Sequence, residues 1–149
     1  MENYSTVRVV VAAAIMSPEE TVLMQQRPQN KAHGGLWEFP GGKLEQGESP
    51  EGALVREIDE ELGLQLDPAD LFPITFACEP PSPGRRPILL LLFGVPQWKG
   101  IARAVEPGSH VRWVTAEALP TLSMPPLDIP LAQAVIRLLE GVAKANGHP

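Results

Sequence analysis

Apolar positions along the chain follow two periods. Residues 6–15, TVRVVVAAAI, form a nearly unbroken run of β-branched and small apolar residues, as expected of a buried strand. The turn SPEE interrupts the run and TVLMQQR resumes it, so the two segments are expected to pair as a hairpin. FPITFACE and the strongly apolar ILLLLFGV, joined by the proline- and glycine-rich PPSPGRR, are expected to make a second hairpin, and HVRWV a further short strand. Helical spacing appears in residues 50–62 and again in about 130–144, where Leu131, Val135, Leu138, Leu139 and Val142 recur at core-facing intervals. Between them Thr115 is expected to cap a short helical turn, and the plain reading of Asp128, just before the last helix, is a cap at its start.

Residues 41–64, GGKLEQGESPEGALVREIDEELGL, carry the chemistry. Ser49 followed by Pro50 is a helix start and Gly63 a helix stop. At 100° per residue, Leu54, Ile58 and Leu62 make one stripe, and Glu57, Glu60 and Glu61 a second stripe beside it. Like charges at this spacing repel by roughly 0.2–0.5 kcal/mol per pair, so a compensating charge is expected. A solvated helix face, with Arg56 neutralising Glu60 one turn on, is one answer; a hard divalent cation such as Mg2+, which prefers oxygen ligands, is the other.

Composition narrows the choice. A chain of 149 residues is one domain by size, and 44% hydrophobic with 20% charged residues describes an ordinary globular protein. The net charge of -6 argues against a nucleic-acid polymer as the main ligand while leaving a single nucleotide carried with Mg2+ compatible. The lone Cys78 can form no internal disulfide and reads as an inert strand residue, and the apolar run near the N-terminus is too short to span a bilayer. With no basic segment before that run, a cytoplasmic location without membrane association is the expectation. His33, His110 and His148 show no metal-ligand spacing.

The pattern of Gly42, five residues, Glu48, seven residues and Arg56-Glu57-Ile58-Asp59-Glu60-Glu61-Leu62-Gly63-Leu64 resembles the Nudix box and matches every fixed position of it, which identifies the chain as resembling the MutT-like Nudix hydrolases. The resemblance implies an α+β Nudix fold over residues 1–149, a mixed β-sheet sandwiched between helices (α/β/α), with the box at 42–64. It implies a loop-helix-loop that binds Mg2+, or Mn2+, and hydrolyses a nucleoside diphosphate linked to another group. Glu57, Glu60 and Glu61 would be metal ligands completed by the carbonyl of Gly41 and by Glu106 from a later loop. Glu57, Glu60, Glu61, Glu106 and Arg56 make the expected catalytic set, with Arg56 and Glu48 holding loop and helix in shape.

The substrate contacts the resemblance implies are Arg27, Trp37, Glu38, Phe39, Lys43, Arg86 and Asp128. Each has a plainer reading. Arg27 can be an exposed strand-end arginine, Phe39 a core aromatic, and Arg85 and Arg86 solvated loop residues. In MutT-type enzymes an asparagine after a double proline reads the oxidised guanine; here Pro125-Pro126 is followed by Leu127 and Asp128. An ionised aspartate only accepts hydrogen bonds, which suits either 8-oxoguanine or the exocyclic amine of cytosine. The expected activity is therefore hydrolysis of 8-oxo-dGTP or a related nucleotide to the monophosphate and pyrophosphate, with CTP or dCTP as the alternative. ADP-ribose or another nucleoside diphosphate derivative, and a non-catalytic nucleotide-binding module, stand behind these. Either a monomer or a homodimer is compatible.

Overall fold

The β-branched run at the start of the chain becomes the central strand of a computed structural model that describes residues 7–145. Thr6, His148 and the terminal stretch 146–149 lie outside the described residues. Strand β1 (Arg8–Ile15) pairs in parallel with β6 (Ile88–Val95), Arg8 opposite Ile88 and Ile15 opposite Val95. On its other edge β1 pairs antiparallel with the short β4 (Gly41–Lys43), and β6 pairs antiparallel with β5 (Phe72–Cys78), giving a mixed sheet in the order β4-β1-β6-β5. A second, antiparallel sheet runs β3 (Trp37–Glu38), β2 (Thr21–Gln26), β7 (His110–Thr115).

The α+β architecture expected from the sequence is present, with the strands divided between two sheets. Successive residues of β1 serve opposite cores, as the pleat requires. Val11, Ala13 and Ile15 join Leu23, Phe93 and Val95 beneath helix α1 (Pro50–Leu62), whereas Ala12 and Ala14 join Met24, Leu90 and Leu92 beneath helix α2 (Asp128–Ala145). A strand covered on both faces needs the continuous apolar run that the sequence displays.

The second expected hairpin is present as β5 and β6. The first is corrected: β1 and β2 share only the Met16–Val22 bridge beside the turn, where the Ser17 N–H donates to the Thr21 carbonyl at 2.9 Å, and then diverge into different sheets. Both edges of β1 are already taken by β4 and β6, so β2 has no free edge to join. The very short β3 and β4 gave too little pattern to read beforehand.

Helix α2 begins at Asp128, earlier than expected, and turns Leu131, Val135 and Leu139 into the core. Leu138 and Val142 are exposed, against expectation. The buried stripe passes through Ala132 instead, because the small side chain lets the helix lie close to the sheet. Thr115 ends β7 and its hydroxyl accepts from the Ala118 N–H at 3.2 Å, leading into a 3-10 turn at Leu119–Thr121.

Candidate active site on helix α1

Helix α1 is built as its sequence specifies. The Ser49 hydroxyl accepts from the Gly52 N–H at 3.0 Å, Pro50 occupies the first turn, and Gly63 closes the helix at φ 70°, its N–H donating to the Asp59 carbonyl. Leu54, Ile58 and Leu62 are fully buried. That burial fixes the rotation of the helix, and the rotation in turn carries Glu57 and Glu61 to the glycine strand β4.

The two acids approach successive residues of that strand. Glu61 Oε2 accepts from the Gly41 N–H at 3.3 Å, while the Glu57 carboxyl lies so close over Gly42 that a Cβ there would overlap it. Gly41 is confined from the opposite side, since a Cβ on it would strike the Val11 carbonyl oxygen. Glycines are required here by close approach, and not by an unusual backbone angle.

Arg56 is the clamp of the segment. Its Nε and Nη2 donate to the two oxygens of Glu48, both at 2.8 Å, a bidentate pair. Nη1 donates to Glu57 at 2.9 Å and Nη2 to the Lys43 carbonyl at 3.1 Å. One guanidinium thus ties the loop, β4 and the helix together, and its hydrogen bonds hold the Glu48 carboxyl down at about 2. The same pairing with Glu48 and Glu57 pushes the Arg56 pKa up.

Among the described residues no such cation serves Glu61. Burial, reinforced by the charges of Glu57, Glu38 and Glu106 and opposed by the Gly41 N–H, raises its pKa to about 8. Glu60 is exposed and points to Arg56 at 3.5 Å, and Glu106 pairs with Lys31 at 3.1 Å. In this arrangement no three carboxylate, histidine or cysteine side chains converge to hold an ion among the described residues. The partners of Glu60 and Glu106 are solvent-exposed pairs, which are typically worth under about 1 kcal/mol, so both side chains are free to reorient at little cost. Glu57 and Glu61 together present hard oxygen donors beside unprotected backbone, a donor set that fits a divalent cation such as Mg2+.

A cleft of about 660 Å³ extends from Glu61 and Gly41 across the faces of both sheets. Arg27, Glu38, Phe39, Lys43, Glu106 and Asp128 line it. Arg27 Nε donates to Glu38 at 2.8 Å, and its Nη1 to the Ala32 carbonyl at 3.1 Å. Burial raises the Glu38 pKa even against that partner.

Asp128 departs from its expected capping role. It is 5% exposed, and its Oδ2 accepts from the backbone N–H of Phe39 at 3.0 Å, 89 residues away in sequence. Burial lifts its pKa to about 7, with the Phe39 N–H opposing. Trp37 does not border the cleft: it packs against the α2-side core with the Arg112 guanidinium 5.7 Å above its ring. Arg86 is exposed outside the cleft, whereas its neighbour Arg85, held to Glu79 at 2.9 Å, borders it.

Lining residues that sequence reasoning passed over include Arg8, Gln25, Lys31 and His33. Gln25 had a legible signal, being a polar residue at a core-alternation position of an otherwise apolar strand. The others had none, because only the fold brings their segments to the cleft.

Residues 6–137 match the NUDIX domain family. Over 128 residues the chain is 37% identical to a CTP pyrophosphohydrolase of Escherichia coli K12, a match spanning 86% of this chain and 91% of that protein. It is 33% identical over 129 residues to the 8-oxo-dGTP diphosphatase of the same organism, covering 86% and 96% respectively. Among solved structures, a MutT from work on the Aliivibrio salmonicida and Vibrio cholerae proteins superposes with a TM-score of 0.76 at 28% identity, covering 89% of this chain and 99% of that one.

Proposed function

Because the chain belongs to the Nudix family, we propose that it hydrolyses 8-oxo-dGTP or a related nucleoside triphosphate to the monophosphate and pyrophosphate, in a soluble cytoplasmic setting and with Mg2+ as the ion. Among the described residues no helix is long and apolar enough to cross a membrane. The single observation that carries this reading is the placement of Glu57 and Glu61 on Gly42 and Gly41, at one end of a cleft whose other walls include the buried Asp128.

Glu57 and Glu61 would hold the divalent cation with the Gly41 carbonyl, and Glu60 and Glu106 would complete the set by leaving Arg56 and Lys31. A cation bound there supplies charge neutralisation for the phosphates and a water of lowered pKa. The chain's own groups do the rest. Arg56 fixes the helix against the loop so that the carboxylates are preorganised, and Arg27 and Lys43 offer positive charge to the phosphate chain from the cleft wall. Glu60, Glu61 and Glu106 are the candidates to take the proton of the attacking water.

At the base end, Phe39 and Asp128 form the recognition wall. Asp128 uses one oxygen on the Phe39 N–H, leaving the other for a donor on the base. Cytosine is the second reading, favoured by the 37% identity to a CTP pyrophosphohydrolase; an acceptor facing the cytosine amine is the pairing it needs.

The test is turnover of 8-oxo-dGTP, dGTP, CTP, dCTP and ADP-ribose with saturating Mg2+, resolving pyrophosphate from phosphate. A kcat/KM for 8-oxo-dGTP far above that for dGTP supports the first reading, and preference for CTP or dCTP supports the second. Loss of a cation ligand typically removes several kcal/mol of transition-state stabilisation, so Glu57→Gln should fall by at least about a thousandfold while its circular dichroism and Tm stay near wild type. Near-normal turnover by that variant would overturn the role of Glu57.

A further inference from the structure

Gln25 is 6% exposed, borders the cleft and makes no side-chain hydrogen bond among the described residues. Its strand neighbour Gln26, by contrast, donates its amide to the Gly35 carbonyl at 3.0 Å. Its amide atoms are not sealed inside the protein but open to the cleft, where a ligand group can take up their hydrogen bonds.

The sheet register says what surrounds it. Gln25 of β2 stands directly opposite Glu38 of β3, and Arg27, just past the end of β2, donates to the same Glu38. Arg27 occupies Oε1 of Glu38, leaving Oε2 available. Glu38 borders the cleft and directly precedes Phe39, whose N–H donates to Asp128 at the base end. In a nucleotide the group that adjoins the base is the pentose.

We infer that Gln25 and Glu38 form a sugar subsite, the Gln25 amide donating to a pentose hydroxyl whose own proton is given to Glu38. A hydroxyl both donates and accepts, so it satisfies an amide and a carboxylate together. A phosphate oxygen only accepts and carries negative charge, and would be repelled by Glu38. The inference rests on the proposed nucleoside triphosphate reaction and assigns which part of that substrate meets β2.

The experiment compares kcat/KM with Mg2+ for ribo-, 2′-deoxy- and 2′,3′-dideoxynucleoside triphosphates, in the cytidine and the 8-oxoguanosine series. The proteins are the wild type, Gln25→Leu and Gln25→Met, each checked by thermal melting. Wild type should lose about tenfold at one step of hydroxyl removal, which tells the 2′ from the 3′ group, and both variants should lose about tenfold on substrates bearing that hydroxyl while matching wild type on those lacking it. Variants that slow every sugar by one common factor, or none, overturn the subsite. If neither variant folds, the wild-type series decides: indifference to both hydroxyls overturns the inference, and a selective drop supports it. A wild type that turns over none of the panel overturns the functional reading and this inference together, whereas wild-type turnover blind to the sugar overturns the inference alone.

Discussion

Asp128 shows how far a single residue's behaviour depends on its surroundings. The folded chain keeps its pKa near 7, against an ordinary 3.8, because burial disfavours the charged form. With a raised pKa the folded state holds the proton longer than the unfolded state does. The stabilising effect of the neutral acid is therefore complete at acid pH and is lost as pH climbs through about 7. Asp128→Asn keeps an oxygen for the Phe39 N–H and never ionises. Its Tm relative to wild type should rise between about pH 4 and pH 8, most of the change falling below neutrality. A difference that stays flat across that range would show that Asp128 ionises freely in the fold. Glu38 and Arg27, the other charges that act on it, are common to both proteins and cancel in the comparison.

Between the two helices, legibility differed for a physical reason. Helix α1 announced itself through Ser49, Pro50, Gly63 and a clean stripe, all local features, and the structure follows them. Helix α2 has more apolar positions than its packing face can cover. Periodicity alone could not say that Leu139 would be buried at 4% while Leu138 stays 37% exposed. Leu139→Ala should cost about 2–5 kcal/mol by urea unfolding, and Leu138→Gln should stay within about 0.5 kcal/mol of wild type. Equal losses at the two positions would mean that α2 is rotated from the orientation described.

At the scale of the whole molecule, the glycine strand, the box helix and the late loop with Glu106 gather acidic charge at one end of a cleft, and Glu61 there has no cationic partner among the described residues. Adding Mg2+ to chelator-treated protein should stabilise the fold by mass action, by about 2.7 kcal/mol when the ion reaches a hundred times its Kd. Glu57→Gln should blunt that rise in Tm. An identical Mg2+ response in wild type and variant would remove Glu57 from the binding set, independently of any turnover measurement.

The sequence by itself determined the box, the cap and stop of α1, the burial of β1 and the nature of the chemistry, because each is written in residues close together along the chain. Arg56 reaching Glu48 and Glu57 belongs to the same class, a network within one short segment. Only the tertiary structure decided that β2 leaves β1 for a second sheet, that Trp37 turns to Arg112 and away from the cleft, and that Asp128 holds the Phe39 backbone instead of a helix end. It also decided that Gln25 opens into the cleft without a partner among the described residues. These outcomes depend on which strand edges remain free and which distant segments meet, and such long-range competition leaves no local pattern in the chain.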